Sequence, residues 1–235
     1  MVTRSRVAII PARGGSKRIE KKNIVSFCGK PMIAWTIEAA QKAEIFERVV
    51  VSTDDPEIAD VARQCGASVP FLRKLYADDI SPVSLATVGT LLQLRDELGE
   101  EYEMAVQLMA NCPLRNERHI LDAFDYFNAR KAKSQISCFK FGWMNPWWAA
   151  TVAEDMRPTS LFPEAAKTRS QDLPPLYCPT GAIWIAKVKH LMEHQTYHTP
   201  ERIFWPMPWE GAVDIDDRED MRMAELLYTM ENRAS

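Results

Sequence analysis

Apolar residues along this 235-residue chain fall into short continuous runs, separated by stretches in which they recur at helical spacing. Residues 7–10 (Val-Ala-Ile-Ile) form one such run, the pattern of a strand covered on both faces. Ile33, Ile37 and Ala40 recur at helical spacing within 33–43. Residues 49–53 predict a second strand, and the Asp54-Asp55-Pro56 that follows is a start signal for a helix over 57–65. A short extended piece at 69–72 precedes a long helix over 84–98, marked by Leu85, Val88, Leu91, Leu92 and Leu94. Residues 104–109 predict a buried strand, then a turn at Asn111-Cys112-Pro113, a helix over 119–130 and a strand over 135–141. From 142 to 180 the periodicity is lost and Pro and Trp become dense, so an irregular excursion is expected there. A strand at 182–186, a helix at 188–194 and a last helix from Arg218 complete the pattern.

This rhythm predicts a single α/β domain over 1–235, with a mixed, mostly parallel sheet flanked by helices. Ligands in such sheets collect beyond the carboxyl ends of the strands. Three polar clusters follow strands and converge on that rim: residues 11–23, Ser52-Thr53-Asp54-Asp55 and Asn111-Cys112-Pro113.

Composition narrows the partners. A net charge of −3 and a pI of about 5.9 argue against a general nucleic-acid binder. No apolar stretch approaches the ~18 residues a membrane span needs, and residues 7–10 are too short for a signal-peptide core. Cys28, Cys65, Cys112, Cys138 and Cys178 are scattered and include no C-x-x-C pair, so neither a disulfide scaffold nor a zinc site is indicated and a reducing cytoplasm is expected.

The first polar cluster carries the clearest chemistry. Arg13, Lys17, Arg18, Lys21 and Lys22 lie within ten residues, interleaved with Gly14-Gly15-Ser16. Glycines let backbone N–H groups come close to an anion, and so many cations repel one another unless something negative sits among them. Neither the Walker A spacing nor G-x-G-x-x-G is present. A solvated basic face is the competing reading, but the position after the first strand favours a polyphosphate.

Asp214 and Asp216 alternate with Val213 and Ile215, so an extended segment points both carboxylates to one face. Paired carboxylates suit Mg²⁺. Equally, Asp216 or Asp217 suits the cap of the last helix, with Glu219 and Asp220 in its first turn. His190, His194 and His198 recur every four residues, which suits either a metal or a solvated helix ending near Tyr197 and Pro200. The solvated helix is favoured, because no acidic or Cys ligand accompanies them in the sequence. Trp143, Trp147, Trp148, Trp205 and Trp209 suit a stacking platform or, the favoured reading, packing in the core or at a subunit interface.

The run Pro11-Ala12-Arg13-Gly14-Gly15-Ser16-Lys17 with Lys22-Asn23 resembles the P-A-R-x-G-S-K-x-x-x-x-K-N opening of sugar-activating nucleotidyltransferases. Among these it is most similar to the acylneuraminate cytidylyltransferase family, the CMP-sialic acid synthetases and their bacterial relatives. Further matches follow in order over about 7–227. Val51-Ser52-Thr53-Asp54 resembles a V-S-T-D strand end, while Phe71-Leu72-Arg73 and Ala77-Asp78-Asp79 resemble a segment lying over the nucleotide. Leu108 to Arg115 resembles L-Q-P-T-S-P-L-R, Arg169 to Pro174 an R-x-Q-D-L-P stretch, Thr180 to Ile185 an N-G-A-I-Y-I strand, and Asp214-Ile215-Asp216 a metal-holding D-I-D. Met109 in place of Gln, Thr180 in place of Asn, and Trp147-Trp148 in the sequence Asn145 to Trp148 depart from the sialic acid pattern.

The resemblance implies a Rossmann-like nucleotidyltransferase fold with a dimerisation excursion, and a homodimer. It implies that CTP and an acidic nonulosonic sugar react to CMP-sugar and pyrophosphate, with Mg²⁺ on Asp214 and Asp216. Arg13, Lys22, Asp214 and Asp216 would be catalytic. Ala12, Arg13, Gly14, Gly15, Ser16, Lys17, Lys22, Asn23, Arg73 and Asn111 would bind the nucleotide. Met109, Arg169, Gln171 and Thr180 would bind the sugar. The Thr168–Leu173 wording is closer to the pseudaminic acid branch, and Gly181-Ala182-Ile183 to the sialic and legionaminic branches. A different sugar acid or sugar phosphate, or a non-catalytic nucleotide binder, are the alternatives.

Overall fold

A computed structural model describes residues 2–78 and 80–233. The first apolar run lies inside strand β1 (Val2–Pro11), where Val7, Ala8, Ile9 and Ile10 are fully buried. After the basic loop, a small hairpin of β2 (Ser26–Phe27) and β3 (Lys30–Pro31) leads into helix α1 (Met32–Lys42). The chain returns as β4 (Arg48–Ser52) beside β1, then enters α2 (Pro56–Gln64). Asp55 caps α2: its Oδ1 accepts from the Glu57 and Ile58 amides at 2.8 and 3.3 Å, and Pro56 takes the first position, where no N–H is needed. Helix α3 (Val83–Leu98) and strand β5 (Glu100–Gln107) follow, with β5 on the other side of β1. Next come α4 (Glu117–Ala129), β6 (Ser134–Lys140), the hairpin β7 (Ala150–Val152) and β8 (Pro158–Ser160), and β9 (Tyr177–Lys187). Helix α5 (Val188–His194), strand β10 (Ile203–Pro206) and helix α6 (Arg218–Arg233) end the chain.

The main sheet runs β10-β6-β9-β5-β1-β4. Only β9 is antiparallel to its neighbours, β5 and β6, which makes the sheet mixed and mostly parallel as expected. Alternation along β1 divides the core. Ala8 and Ile10 join Ile33, Ile37, Ile58, Phe124 and Phe127 on the face of α1, α2 and α4, while Val7 and Ile9 join Val88, Leu91, Leu94 and Leu191 on the face of α3 and α5. Because β4 and β5 flank β1 on opposite sides, successive crossovers leave in opposite directions, and a crevice opens at their carboxyl ends.

The structure refines four sequence expectations. Residues 69–72, read as a short extended piece, join no strand; the Val51 amide bonds the Ser68 carbonyl at 3.0 Å through a single bridge just before them. Residues 213–217 are extended but join no sheet, because the segment crosses the strand ends, where the Ile215 amide bonds the Asn111 carbonyl at 2.9 Å. The helix bearing the histidines stops at His194, with Gln195 in the left-handed region, short of the expected end near Tyr197 and Pro200, and Tyr197 is buried in the core. Among the tryptophans, Trp205 is core, whereas Trp143, Trp148 and Trp209 are exposed. Among the described residues, no helix is long and apolar enough to cross a membrane.

Candidate active site

The crevice is a cavity of about 500 Å³. Its lining includes Arg13, Ser16, Lys17, Arg18, Lys22 and Asn23 from the basic loop, Met109 and Asn111 after β5, and Asp214 and Asp216 before α6. Arg73, Asp78, Ser81 and the first turn of α3 (Val83, Ala86) form the remaining wall. The loop after the first strand and the paired acids therefore face one space. Lys22 joins them directly: Nζ donates to Asp216 Oδ1 at 2.8 Å and to the Ile215 carbonyl at 2.9 Å. Arg18 Nη2 meets the other oxygen of Asp216 at 2.6 Å.

The two acids have separate supports. Asn111 Nδ2 donates to Asp214 Oδ1 and, at 3.1 Å, to the Ile215 carbonyl. Partial desolvation by the surrounding cleft walls, reinforced by the charge of Asp216, pushes the Asp214 carboxyl up to about 6, although the side chain keeps an open side to solvent. Desolvation acts on Asp216 as well, but the hydrogen bonds and charges of Lys22 and Arg18 outweigh it and hold that carboxyl below its ordinary value. Capping falls to the neighbours. Asp217 Oδ1 accepts from the Glu219 and Asp220 amides at 2.9 and 3.1 Å, and Asp220 Oδ2 accepts from the Asp216 and Asp217 amides at 2.9 and 3.0 Å. The caps use neither the Asp214 nor the Asp216 side chain, and both line the cavity. Two carboxylates at its edge, one destabilised in its charged form, are a donor set that fits a hard divalent cation.

The basic loop is braced from below. Asn23 Nδ2 donates to the Arg13 carbonyl at 2.9 Å, and the Ala12 amide donates to the Ser52 carbonyl at 2.9 Å. Ala12, Gly14 and Gly15 do not line the cavity. Two amides of the expected cradle are bonded within the protein: the Gly14 amide donates to Asp54 Oδ1 at 3.2 Å and the Ser16 amide to the Gly14 carbonyl at 3.0 Å, because the carboxylates that follow β4 approach the loop. Gly14 is needed for that approach: a Cβ there would stand 2.6 Å from Asp55 Oδ2. Lys21 turns away to pair with Glu57. Arg73 is buried, and its Nη1 donates to the Ser52 carbonyl at 3.1 Å.

The sugar-side residues divide. Met109 lies on the cavity floor over Gly181, where a Cβ would be 2.7 Å from Met109 Cγ and 3.7 Å from Asp214 Oδ2. Arg115, 1% exposed, holds this floor: Nη1 donates to the Met109 and Ala182 carbonyls at 3.2 and 2.8 Å. Thr180 does not line the cavity; it is buried and its Oγ1 donates to the Ala212 carbonyl at 3.0 Å. Arg169 and Gln171 are exposed on the excursion and also lie outside the lining, with Arg169 paired to Asp172 at 2.7 Å. Asn111 lines the cavity, and its amide donates to Asp214 Oδ1. Sequence reasoning missed Arg18 as a partner of Asp216, although it named the cation. It also missed Arg115, whose role is visible only once its buried contacts are known. Asp79, part of the Ala77-Asp78-Asp79 match, lies outside the described residues.

Residues 7–174 match the family model described as cytidylyltransferase. Over 230 residues the chain is 33% identical to a pseudaminic acid cytidylyltransferase of Campylobacter jejuni, covering 97% of this chain and 98% of that protein. The chain belongs to the acylneuraminate cytidylyltransferase family. A CMP-N,N'-diacetyllegionaminic acid synthase of Legionella pneumophila is 34% identical over 236 residues, again covering 97% and 98%. An N-acylneuraminate cytidylyltransferase of Escherichia coli is 30% identical, over 97% of this chain and 53% of that longer protein. A solved CMP:2-keto-3-deoxy-manno-octonic acid synthetase complexed with CTP superposes with a TM-score of 0.69 at 16% identity, covering 97% of this chain and all of that one, which establishes the shared nucleotidyltransferase fold. Family membership makes this cytidylyltransferase an enzyme and turns the crevice between the basic loop and the acid pair into its candidate catalytic centre.

Proposed function

We propose that this cytidylyltransferase transfers the CMP group of CTP to the anomeric hydroxyl of an acidic nonulosonic sugar of the pseudaminic or legionaminic type, releasing pyrophosphate. The observation that carries this reading is the Lys22–Asp216 contact, which brings the basic loop and the acid pair to one cavity. The hydroxyl oxygen bonds to the α-phosphorus, the bond from that phosphorus to its bridging oxygen breaks, and the hydroxyl proton leaves to water. Arg13, Lys17 and Lys22 line the side on which negative charge grows as pyrophosphate departs, and fixed cations there favour the transition state over the ground state. Arg73, held by the β4 strand end, anchors the nucleotide at the other wall.

Asp214 and Asp216 would hold Mg²⁺. Bound there, the ion neutralises triphosphate charge and acidifies the attacking hydroxyl. Asn111 keeps Asp214 aimed at the cavity, and Asp217 keeps α6 capped so that Asp216 stays available. Met109 presents an apolar side chain to the same cavity as Asp214, so the part of the acceptor that rests there needs no hydrogen-bonding group.

The protein acts as a homodimer in this reading. Large apolar side chains stand exposed along the excursion, among them Trp143 at 86%, together with Met144, Trp148, Met156 and Leu161. A second copy covers such a surface. It also gives Arg169 and Gln171 a role, since both are exposed on the excursion outside the lining of their own cavity and would serve the sugar in the partner's. The free thiols of all five cysteines suit the cytoplasm as its compartment.

Pyrophosphate release from CTP and Mg²⁺, measured with pseudaminic, legionaminic, N-acetylneuraminic and 2-keto-3-deoxyoctonic acids, tests the reading. Release is expected with at least one nonulosonic acid and is abolished in Asp216→Ala. CTP binding without release on any sugar rejects catalysis. Mixing Arg169→Ala chains with Asp216→Ala chains is expected to restore part of the activity; no recovery, in a mixture shown to exchange subunits, rejects the shared site.

A further inference from the structure

A second group of metal-ligating side chains lies at the opposite end of the sheet. His190 and His194 occupy one face of α5, with ring centroids 4.3 Å apart. The expected third histidine does not join them: His198 packs edge-on against Trp184, at 5.0 Å between centroids. Glu201 takes its place, and one ligand atom from each of His190, His194 and Glu201 lies within 4.8 Å of the others. The carboxylate that the sequence did not pair with these histidines is supplied by the fold.

The turn that brings Glu201 is firmly anchored. Tyr197 and Thr199 are buried, the Arg202 amide bonds the Thr199 carbonyl at 3.1 Å, and Arg202 Nη1 reaches the same carbonyl at 3.0 Å. Thr199 Oγ1 lies 3.2 Å from His190 Nε2 and orients the ring. This is the outer support that metal-bound imidazoles commonly have.

We infer that His190, His194 and Glu201 form a binding site for a divalent cation of the zinc class, separate from the catalytic crevice. Two imidazoles and one carboxylate are a recurrent three-residue donor set for Zn²⁺, with water in the fourth position, and imidazole disfavours Mg²⁺. Zinc–ligand bonds of about 2.0–2.1 Å place tetrahedral donors about 3.3 Å apart. The present spread therefore closes by an ångström or so, which the exposed His194 and Glu201 side chains permit. Lys133 Nζ, 3.7 Å from Glu201 Oε1, is the competing cation. The site ties the end of α5 to the turn before edge strand β10. It follows the end of β9, which pairs Ala186 with Ser134 at the amino end of β6 and Lys187 with Met104 in β5.

The test uses the full chain without an added histidine tag, stripped with chelator and titrated with Zn²⁺ against a chromophoric competitor, and with Co²⁺ for its visible spectrum. One equivalent of Zn²⁺ and tetrahedral Co²⁺ bands are expected. His194→Ala and Glu201→Gln should each weaken Zn²⁺ at least tenfold, Lys133→Ala should tighten it, and Asp216→Ala should leave it unchanged. Turnover with Mg²⁺ in His194→Ala and Glu201→Gln should stay within twofold of the parent. Absence of Zn²⁺ binding by the parent chain, equal affinity in His194→Ala, or loss confined to Asp216→Ala overturns the assignment.

Discussion

Lys22 and Asp216 are 194 positions apart in the chain, and Lys22 Nζ and Asp216 Oδ1 are 2.8 Å apart in the fold. The contact neutralises one acid of the pair and fixes the lysine, which also holds the Ile215 carbonyl. Lys22→Ala should lower kcat for CMP transfer by about 100-fold or more, the scale seen when one fixed donor to developing charge is removed. Pyrophosphate release checks this, and a rate within threefold of the parent removes Lys22 from the reaction.

Arg18 holds the second oxygen of Asp216 from an exposed position, so it competes with any cation for that carboxylate. Arg18→Ala should tighten Mn²⁺ binding several-fold in the absence of nucleotide and raise KM for CTP. Calorimetry on the nucleotide-free protein separates the two effects; unchanged Mn²⁺ affinity contradicts the competition.

Asp214 titrates at about 6, above the ~3.9 of an unfolded aspartate. Only the ionised form binds a cation, so Mn²⁺ affinity should fall up to tenfold per pH unit below about 6. The same shift has a stability sign. The metal-free fold holds the proton more tightly than the unfolded chain between about 4 and 6, so it loses stability as pH rises through that window. Asp214→Asn should therefore stabilise the metal-free protein at pH 7 and raise its Tm, by no more than about 1 kcal/mol in stability because the side chain remains open to solvent, and leave it unchanged below about pH 4.

Arg115 is buried with Nε and Nη2 lacking a hydrogen-bond partner, and its Nη1 ties the Met109 and Ala182 carbonyls together. Arg115→Ala should cost about 2–4 kcal/mol in urea unfolding, from the cavity and the freed carbonyls. Arg115→Met fills the volume without a buried charge and should cost less. Equal losses in both variants would show that the cavity is not the main cause.

Gly14→Ala places a methyl group against Asp55 Oδ2 and displaces the α2 cap. A loss of about 1 kcal/mol and a raised KM for CTP are expected, read by thermal unfolding and initial rates.

The strands and the acid pair were legible because buried parallel strands require continuous apolar runs and because Asp214 and Asp216 alternate with apolar neighbours. The basic loop was legible as a cation cluster, but its hydrogen bonds were not. Whether the Gly14 amide faces an incoming anion or Asp54 depends on how closely β4 approaches, which no local pattern encodes. Arg115 looked like any surface arginine until its burial was known. The His190–His194 pair was visible in the spacing, but Glu201 reaches it only because Tyr197 anchors in the core and turns the chain back.

The antiparallel insertion of β9 imposes an order of assembly. As the polypeptide emerges, β1, β4 and β5 can zip into a parallel trio with α1, α2 and α3 already available to cover it. Strand β6 is made next, yet its sheet neighbours are β9 and β10, so it waits without a partner while the excursion is synthesised. Such late, non-local pairing is slow and leaves a bare edge for other molecules to find. The second half of the sheet is therefore where a newly made chain is most exposed to misassembly, and where a chaperone would matter.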